Sequence, residues 1–280
     1  MEKKYKIGAF CFSITCPENM PIPDTMQVFE REDILPEYHY SIELAKVLKQ
    51  PEGTLLQKRQ DLLVYQNEGR EERLIGVKGM EGYYALYQEI SEQNARVCVL
   101  ESELGQYNLA PFFTSLLALE RHMLQRESLV LHCAYVACQG KAILFSAPSE
   151  TGKTTQAMLW EKYMGTEQIN GDRALLHKED GIWQAGGWPV CGTSEYCSDQ
   201  TMPVHAIVML SQAKENHAER MRPMKAFSSV YSQITINRWN NEAHNRAMSL
   251  IEELVTEVPV VHLACDISKE AVICLAEMIL

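Results

Sequence analysis

No run of the chain approaches the roughly 20 consecutive apolar residues that a helix needs to span a bilayer, so no membrane partner is expected. There is no C-x-x-C pair and no histidine at zinc-finger spacing, which excludes the common structural zinc sites. Positive charge is scarce: Lys plus Arg number 26 against 37 Asp plus Glu, for a net charge of −11. A broad phosphate-neutralising surface is therefore missing, and no nucleic-acid partner is expected. No internal repeat or low-complexity linker interrupts the sequence. Nine cysteines, an odd number, are scattered from Cys11 to Cys274 and read as reduced thiols rather than as a disulfide framework. Cys11 and Cys16 have too few ligating neighbours for a metal and read as core packing.

The start combines basic Lys3, Lys4 and Lys6 with an apolar stretch, but no small-residue cleavage pattern precedes Cys16-Pro17. It reads as a strand, and the expected location is the cytoplasm. With 46% hydrophobic and 22% charged residues, the composition is that of an ordinary globular protein. At 280 residues the chain has room for one large or two modest domains.

Up to about residue 108 the pattern is mostly strands, over 5–15, 62–66, 73–77, 83–89 and 96–100, broken by polar turns such as Asn67-Glu68-Gly69. Pro111 then opens an expected helix with Phe112, Leu116, Leu119 and Met123 on one apolar face. These two stretches make a β-rich module over residues 1–124 that ends in a connecting helix and carries no catalytic motif.

From Leu129 the texture changes. Two apolar strands, 129–137 and 141–146, flank a tight Cys138-Gln139-Gly140 turn. The second runs into Ala147-Pro148-Ser149-Glu150-Thr151-Gly152-Lys153-Thr154-Thr155 and then a helix with Ala157, Trp160 and Met164 on one face, stopped at Gly165. A strand over 168–176 is interrupted by Asn170-Gly171-Asp172-Arg173, and Asp180-Gly181 turns a hairpin. A strand at 206–210, a helix from about Asn241, a strand at 258–263 and a helix capped by Ser268 complete an α/β module over 125–280.

Strand, loop, G-K-T and helix is the arrangement a phosphate-binding loop requires. Backbone N–H groups and the helix N-terminus hold phosphate oxygens, a lysine reaches the β/γ-phosphates, and a hydroxyl ligates Mg²⁺. Ser149, Glu150, Thr151, Gly152, Lys153, Thr154 and Thr155 are thus the expected nucleotide cradle, with ATP and Mg²⁺ as cofactors and Thr154 as a metal ligand. Taken alone, His132 alternates with Val130, Ala134 and Val136 as a core histidine would, and Asn170-Gly171-Asp172 reads as a turn.

The run Leu131-His132-Cys133-Ala134, the loop 147–155, and Asn170-Gly171-Asp172-Arg173-Ala174-Leu175-Leu176 together resemble the catalytic domain of HPr kinase/phosphorylase and its relatives, whose P-loop fold is akin to phosphoenolpyruvate carboxykinase. The resemblance covers about residues 125–280. It implies an α/β (α+β) P-loop kinase domain preceded by a smaller β-rich domain, acting with Mg-ATP on a serine hydroxyl, usually of a protein. It further implies a nucleoside triphosphate and a protein or peptide acceptor as partners, and self-assembly into a homo-oligomer. Carried over by position, His132, Lys153 and Asp172 are the catalytic residues, and Thr154 and Asp172 the metal ligands.

Three positions depart from the family pattern. Ala147 and Glu150 stand at loop glycines, and Gly171 replaces the first acid of the family's Asp-Asp-Arg. A carboxylate at 150 opposes phosphates unless it faces solvent. With Gly171 in place, Asp172 alone must serve as general base, metal ligand or both. Arg173, Gly192, Thr193 and Ser194 are candidate substrate contacts, the last three from a glycine- and hydroxyl-rich segment, 186–195, that also suits plain turns. Arg220 and Arg222, beside Lys225, read as a solvated basic face. Two alternatives stand beside a protein or peptide serine kinase: a catalytically weak nucleotide-binding accessory or chaperone-like protein, and a kinase of free serine.

Overall fold

The computed structural model describes residues 1–79 and 81–280. They divide into two units, Met1–Leu119 and Glu120–Leu280.

The first unit holds strands β1 (Glu2–Ile7), β2 (Phe10–Thr15), β3 (Tyr38–Ala45), β4 (Thr54–Lys58), β5 (Leu62–Asn67), β6 (Arg70–Gly76), β7 (Tyr83–Ser91) and β8 (Asn94–Leu100), with short helices α1 (Asp24–Gln27) and α2 (Ala110–Ser115). The strands form one sheet in the order β1-β2-β3-β8-β7-β6-β5-β4. The stretch 5–15, expected as one strand, is an antiparallel hairpin turned at Gly8, whose φ of 56° suits a residue without a Cβ. β3 was not expected, although Tyr38, Tyr40 and Ile42 alternate to the buried side. The Tyr38 and Tyr40 rings join Phe10 and Phe12 in an aromatic cluster with centroids 4.9–6.0 Å apart. The exposed edge strand β4 was likewise missed, because Leu55 and Leu56 do not alternate.

The single helix expected from Pro111 to Met123 is broken. Ala118 takes a left-handed φ of 47°, which ends one helical run and restarts another as α3 (Leu119–Gln125).

In the second unit follow β9 (Leu129–Cys138), β10 (Lys141–Ser146), α4 (Lys153–Met164), β11 (Glu167–Asn170), β12 (Arg173–Glu179), β13 (Ile182–Gly186), β14 (Met202–Gln212), β15 (His217–Arg220), α5 (Pro223–Tyr231), α6 (Asn241–Glu257), β16 (Val260–Cys265) and α7 (Lys269–Ile279). β11, β9, β10, β14, β16 and β15 lie side by side, with the β10–β14 and β14–β16 pairs parallel. The first half of β9 also pairs with β12, which leads through β13 to the start of β14.

Side chains alternate across these strands and build two cores. Leu131, Cys133, Leu144 and Ile207 pack with Val230 of α5 and Leu250, Ile251 and Leu254 of α6. On the opposite face Val136, Phe145, Val208 and Leu263 pack with Trp160 of α4 and Val272 and Leu275 of α7. The second unit is thus a mixed α/β layer structure with helices on both faces.

Several expectations are corrected here. The strand over 168–176 is two strands, β11 and β12, because the chain turns at Gly171 and Asp172. Met164 is 39% exposed rather than part of the buried face of α4, since the helix ends at the left-handed Gly165 one residue later. Arg220 at the end of β15, Arg222 and Lys225 of α5 are exposed, as a solvated basic face requires. All nine cysteines are free thiols. Among the described residues, no helix is long and apolar enough to cross a membrane.

Candidate functional site

β10 ends at buried Ser146, whose hydroxyl donates to the His132 carbonyl at 2.8 Å and ties the mouth of the loop to β9. The loop then turns through Glu150 at φ 64° and Gly152 at φ 112° before α4 begins. Glu150 therefore has the backbone shape of a glycine position, at a strain of about 1 kcal/mol. Its side chain is exposed and its carbonyl accepts from the Gln212 side chain at 3.4 Å. Ser149 is exposed as well, while Thr151, Gly152, Thr154 and Thr155 are half-buried around the start of α4.

Lys153, the first residue of α4, is only 7% exposed. Its ammonium folds back under the loop and donates to the carbonyls of Ala147 at 3.1 Å and Pro148 at 3.3 Å. Burial pushes its pKa below the ordinary lysine value, and the negative charge of Asp172 works against that. A buried cation on two neutral carbonyls is under-compensated, which is the electrostatic condition for holding an anion.

Asp172 sits in the turn between β11 and β12. The Asn170 carboxamide oxygen accepts from the backbone N–H groups of both Asp172 and Arg173 at 2.9 Å, and the Asn170 amide donates to the Trp188 carbonyl at 2.7 Å. The Asp172 carbonyl accepts from Cys133 N–H at 2.9 Å, which fixes the turn to β9. One carboxylate oxygen lies 3.3 Å from His132 Nε2 and the other 3.1 Å from Arg173 Nε. Burial alone would raise the Asp172 pKa. The His132 hydrogen bond, with Arg173 and Lys153 nearby, outweighs it and holds the carboxyl below the usual carboxylate range. Arg173 also donates from Nη1 to Thr235 Oγ1 at 2.9 Å.

His132, Asp172 and Arg173 are thus in one polar chain, with Lys153 within electrostatic reach. The pattern around Asn170 already reads as a turn in sequence, but its double acceptor role does not follow from that. Thr235 carried no signal at all: it lies 62 residues from Arg173 in an irregular stretch after α5.

The segment 191–196 lies on this turn. A Cβ built on Gly171 would stand 1.8 Å from Ser194 Oγ and 2.8 Å from the Cys191 carbonyl oxygen. No side chain fits at 171 while Ser194 is there, so that space is filled by a hydroxyl. Gly192, at φ 66°, stacks on Asp172, with a built Cβ 3.3 Å from the Asp172 Cβ. Ser194 Oγ donates to the Cys191 carbonyl at 2.9 Å. Thr193 is exposed beside them. Among the described residues, no group of three or more His, Cys, Asp or Glu side chains converges to hold a metal ion.

No curated protein matches the chain. A solved structure, the Hpr(Ser) kinase/phosphatase from Coxiella burnetii, is similar over 54% of this chain and 87% of its own length, with 12% identity and a TM-score of 0.31. The family described as SynChlorMet cassette protein ScmC matches residues 97–272. The chain belongs to that family.

Proposed function

We propose that this protein is a Mg-ATP-dependent phosphotransferase acting on a serine hydroxyl of a protein or peptide. The observation that carries the reading is the pairing of a buried, under-compensated Lys153 at a helix start with an ionised Asp172 in electrostatic reach of it.

The residues present fit a magnesium nucleotide. The α4 N-terminus and Lys153 suit phosphate oxygens, and because Mg²⁺ takes few protein ligands, the Thr154 hydroxyl and the Asp172 carboxylate are the residues that would hold it. When bound, the metal supplies charge neutralisation at the phosphates. Lys153 stabilises the charge that builds on the transferring group. The acceptor oxygen bonds to the γ-phosphorus, the bond to the β–γ bridging oxygen breaks, and ADP leaves with that electron pair. The hydroxyl proton passes to the Asp172 carboxylate, which His132 and Arg173 hold in position. Reduced thiols throughout the chain agree with a cytoplasmic location, where ATP is available.

A second reading has its own observation. Ser194 fills the position of the missing acid, which leaves one carboxylate for two tasks and favours a nucleotide-binding accessory protein of weak activity. Labelled ATP, offered with serine peptides and with free serine to the wild type and to Lys153→Ala, separates the readings. Transfer to peptide that Lys153→Ala loses supports the kinase. Nucleotide binding without transfer supports the accessory protein, and transfer to free serine alone overturns the peptide acceptor.

A further inference from the structure

We propose that Ser194 is itself a phosphoryl acceptor, presented to Asp172 by its own chain. The inference rests on the phosphotransferase reading and concerns the same site.

Three features place this hydroxyl. Ser194 Oγ occupies the space of a side chain on residue 171, immediately before Asp172 in the chain, and only the absence of a Cβ there admits it. Gly192 lies against the Asp172 carboxylate, with a built Cβ 3.7 Å from Oδ1, so the loop's own backbone is stacked on the base. The loop is also bent tightly, with positive φ at both Gly192 (66°) and the non-glycine Glu195 (59°). That second angle costs about 1 kcal/mol, as at Glu150. The bends turn Ser194 inward, while Thr193 and Glu195 on either side of it are exposed.

In the resting loop the Ser194 hydroxyl donates to the Cys191 carbonyl. For transfer that proton goes to the Asp172 carboxylate instead. Ser194 Oγ bonds to the γ-phosphorus of ATP, the bond to the β–γ bridging oxygen breaks, and ADP departs. The product carries close to two negative charges beside Asp172, which repels the loop from the turn and opens the space at Gly171. A peptide serine would then meet an emptied acceptor position.

The test is incubation of the full chain with Mg-ATP, followed by intact mass and peptide mapping, with a serine-peptide library offered in parallel. One phosphoryl group on Ser194 is expected, at a rate per molecule that does not change with protein concentration, and Ser194→Ala loses it. Ser249→Ala, an exposed hydroxyl on α6 remote from the turn in sequence, should retain it. Transfer to the library with Ser194 left bare overturns the inference and leaves the phosphotransferase reading standing, as does labelling of Ser194 that accelerates with protein concentration. Transfer to neither overturns both.

Discussion

Asp172 Oδ1 stands 3.3 Å from His132 Nε2, across the boundary between the β11–β12 turn and strand β9. The contact joins a residue of the third motif to one of the first, 40 positions apart, and makes the carboxylate ionised and oriented before any substrate arrives. On the proposed mechanism a base so stabilised is weak and would take its proton late in the transfer.

The pH dependence of stability follows from this pair. The Asp172 carboxyl is held below its ordinary value in the folded chain, so its contribution is fully present above about pH 4 and is lost as pH falls through the lower native value. Thermal melts from neutral pH down to about pH 3 should show a steeper acid loss for the wild type than for Asp172→Asn. Equal slopes would mean that the carboxylate is not stabilised.

Lys153→Met should reduce phosphoryl transfer by about 10²-fold or more. Because the wild-type ammonium is already buried on two carbonyls, the melting temperature should change by no more than a few degrees. Calorimetric melting beside a transfer assay checks both halves, and a collapsed fold in the variant would contradict the desolvated-cation account.

At position 150 backbone and charge point in opposite directions. Glu150→Gly relieves the left-handed strain but frees the unfolded chain, so stability should shift by less than about 1 kcal/mol. Removing the carboxylate should tighten nucleotide binding by roughly two- to tenfold at low salt, with the gain shrinking as salt is added. Titration calorimetry at two ionic strengths measures it, and unchanged affinity would show that the exposed side chain never reaches the phosphates.

Gly171→Ala should destabilise the chain by about 1–3 kcal/mol, because the new methyl group meets Ser194 Oγ and the Cys191 carbonyl. Ser194→Gly in the same chain should recover part of that loss but not all, since the carbonyl remains. Urea titrations of the three variants give the coupling directly.

The strand, loop and helix around residues 141–165 were legible because they are local: an apolar strand, a polar loop with G-K-T and a helix ended by Gly165 all fall within consecutive residues. His132 and Asp172 were legible only as members of a pattern, since an alternating histidine and an Asn-Gly-Asp turn have bland explanations by themselves. What the sequence could not disclose is the long-range packing. Thr235 reaches Arg173 from a stretch with no periodicity, and nothing in Gly-Thr-Ser-Glu announces that it folds onto Gly171. Ala118 is similar: an alanine inside an apolar helical pattern has the best helix propensity, so nothing in its identity announces the left-handed φ of 47°.

Strand β9 changes partners one residue from His132, pairing Arg173 to His132 on one side and Ser146 to Cys133 on the other. Both ladders are therefore threaded through a single two-residue hinge point, and fraying that releases either one also pulls on the site. Amide hydrogens of His132 and Cys133 should exchange with solvent only through the cooperative unfolding of the whole second unit, as slowly as its deepest strands. On that expectation the loop after β10, tied to His132 through Ser146, would be rooted in one of the slowest-opening parts of the unit.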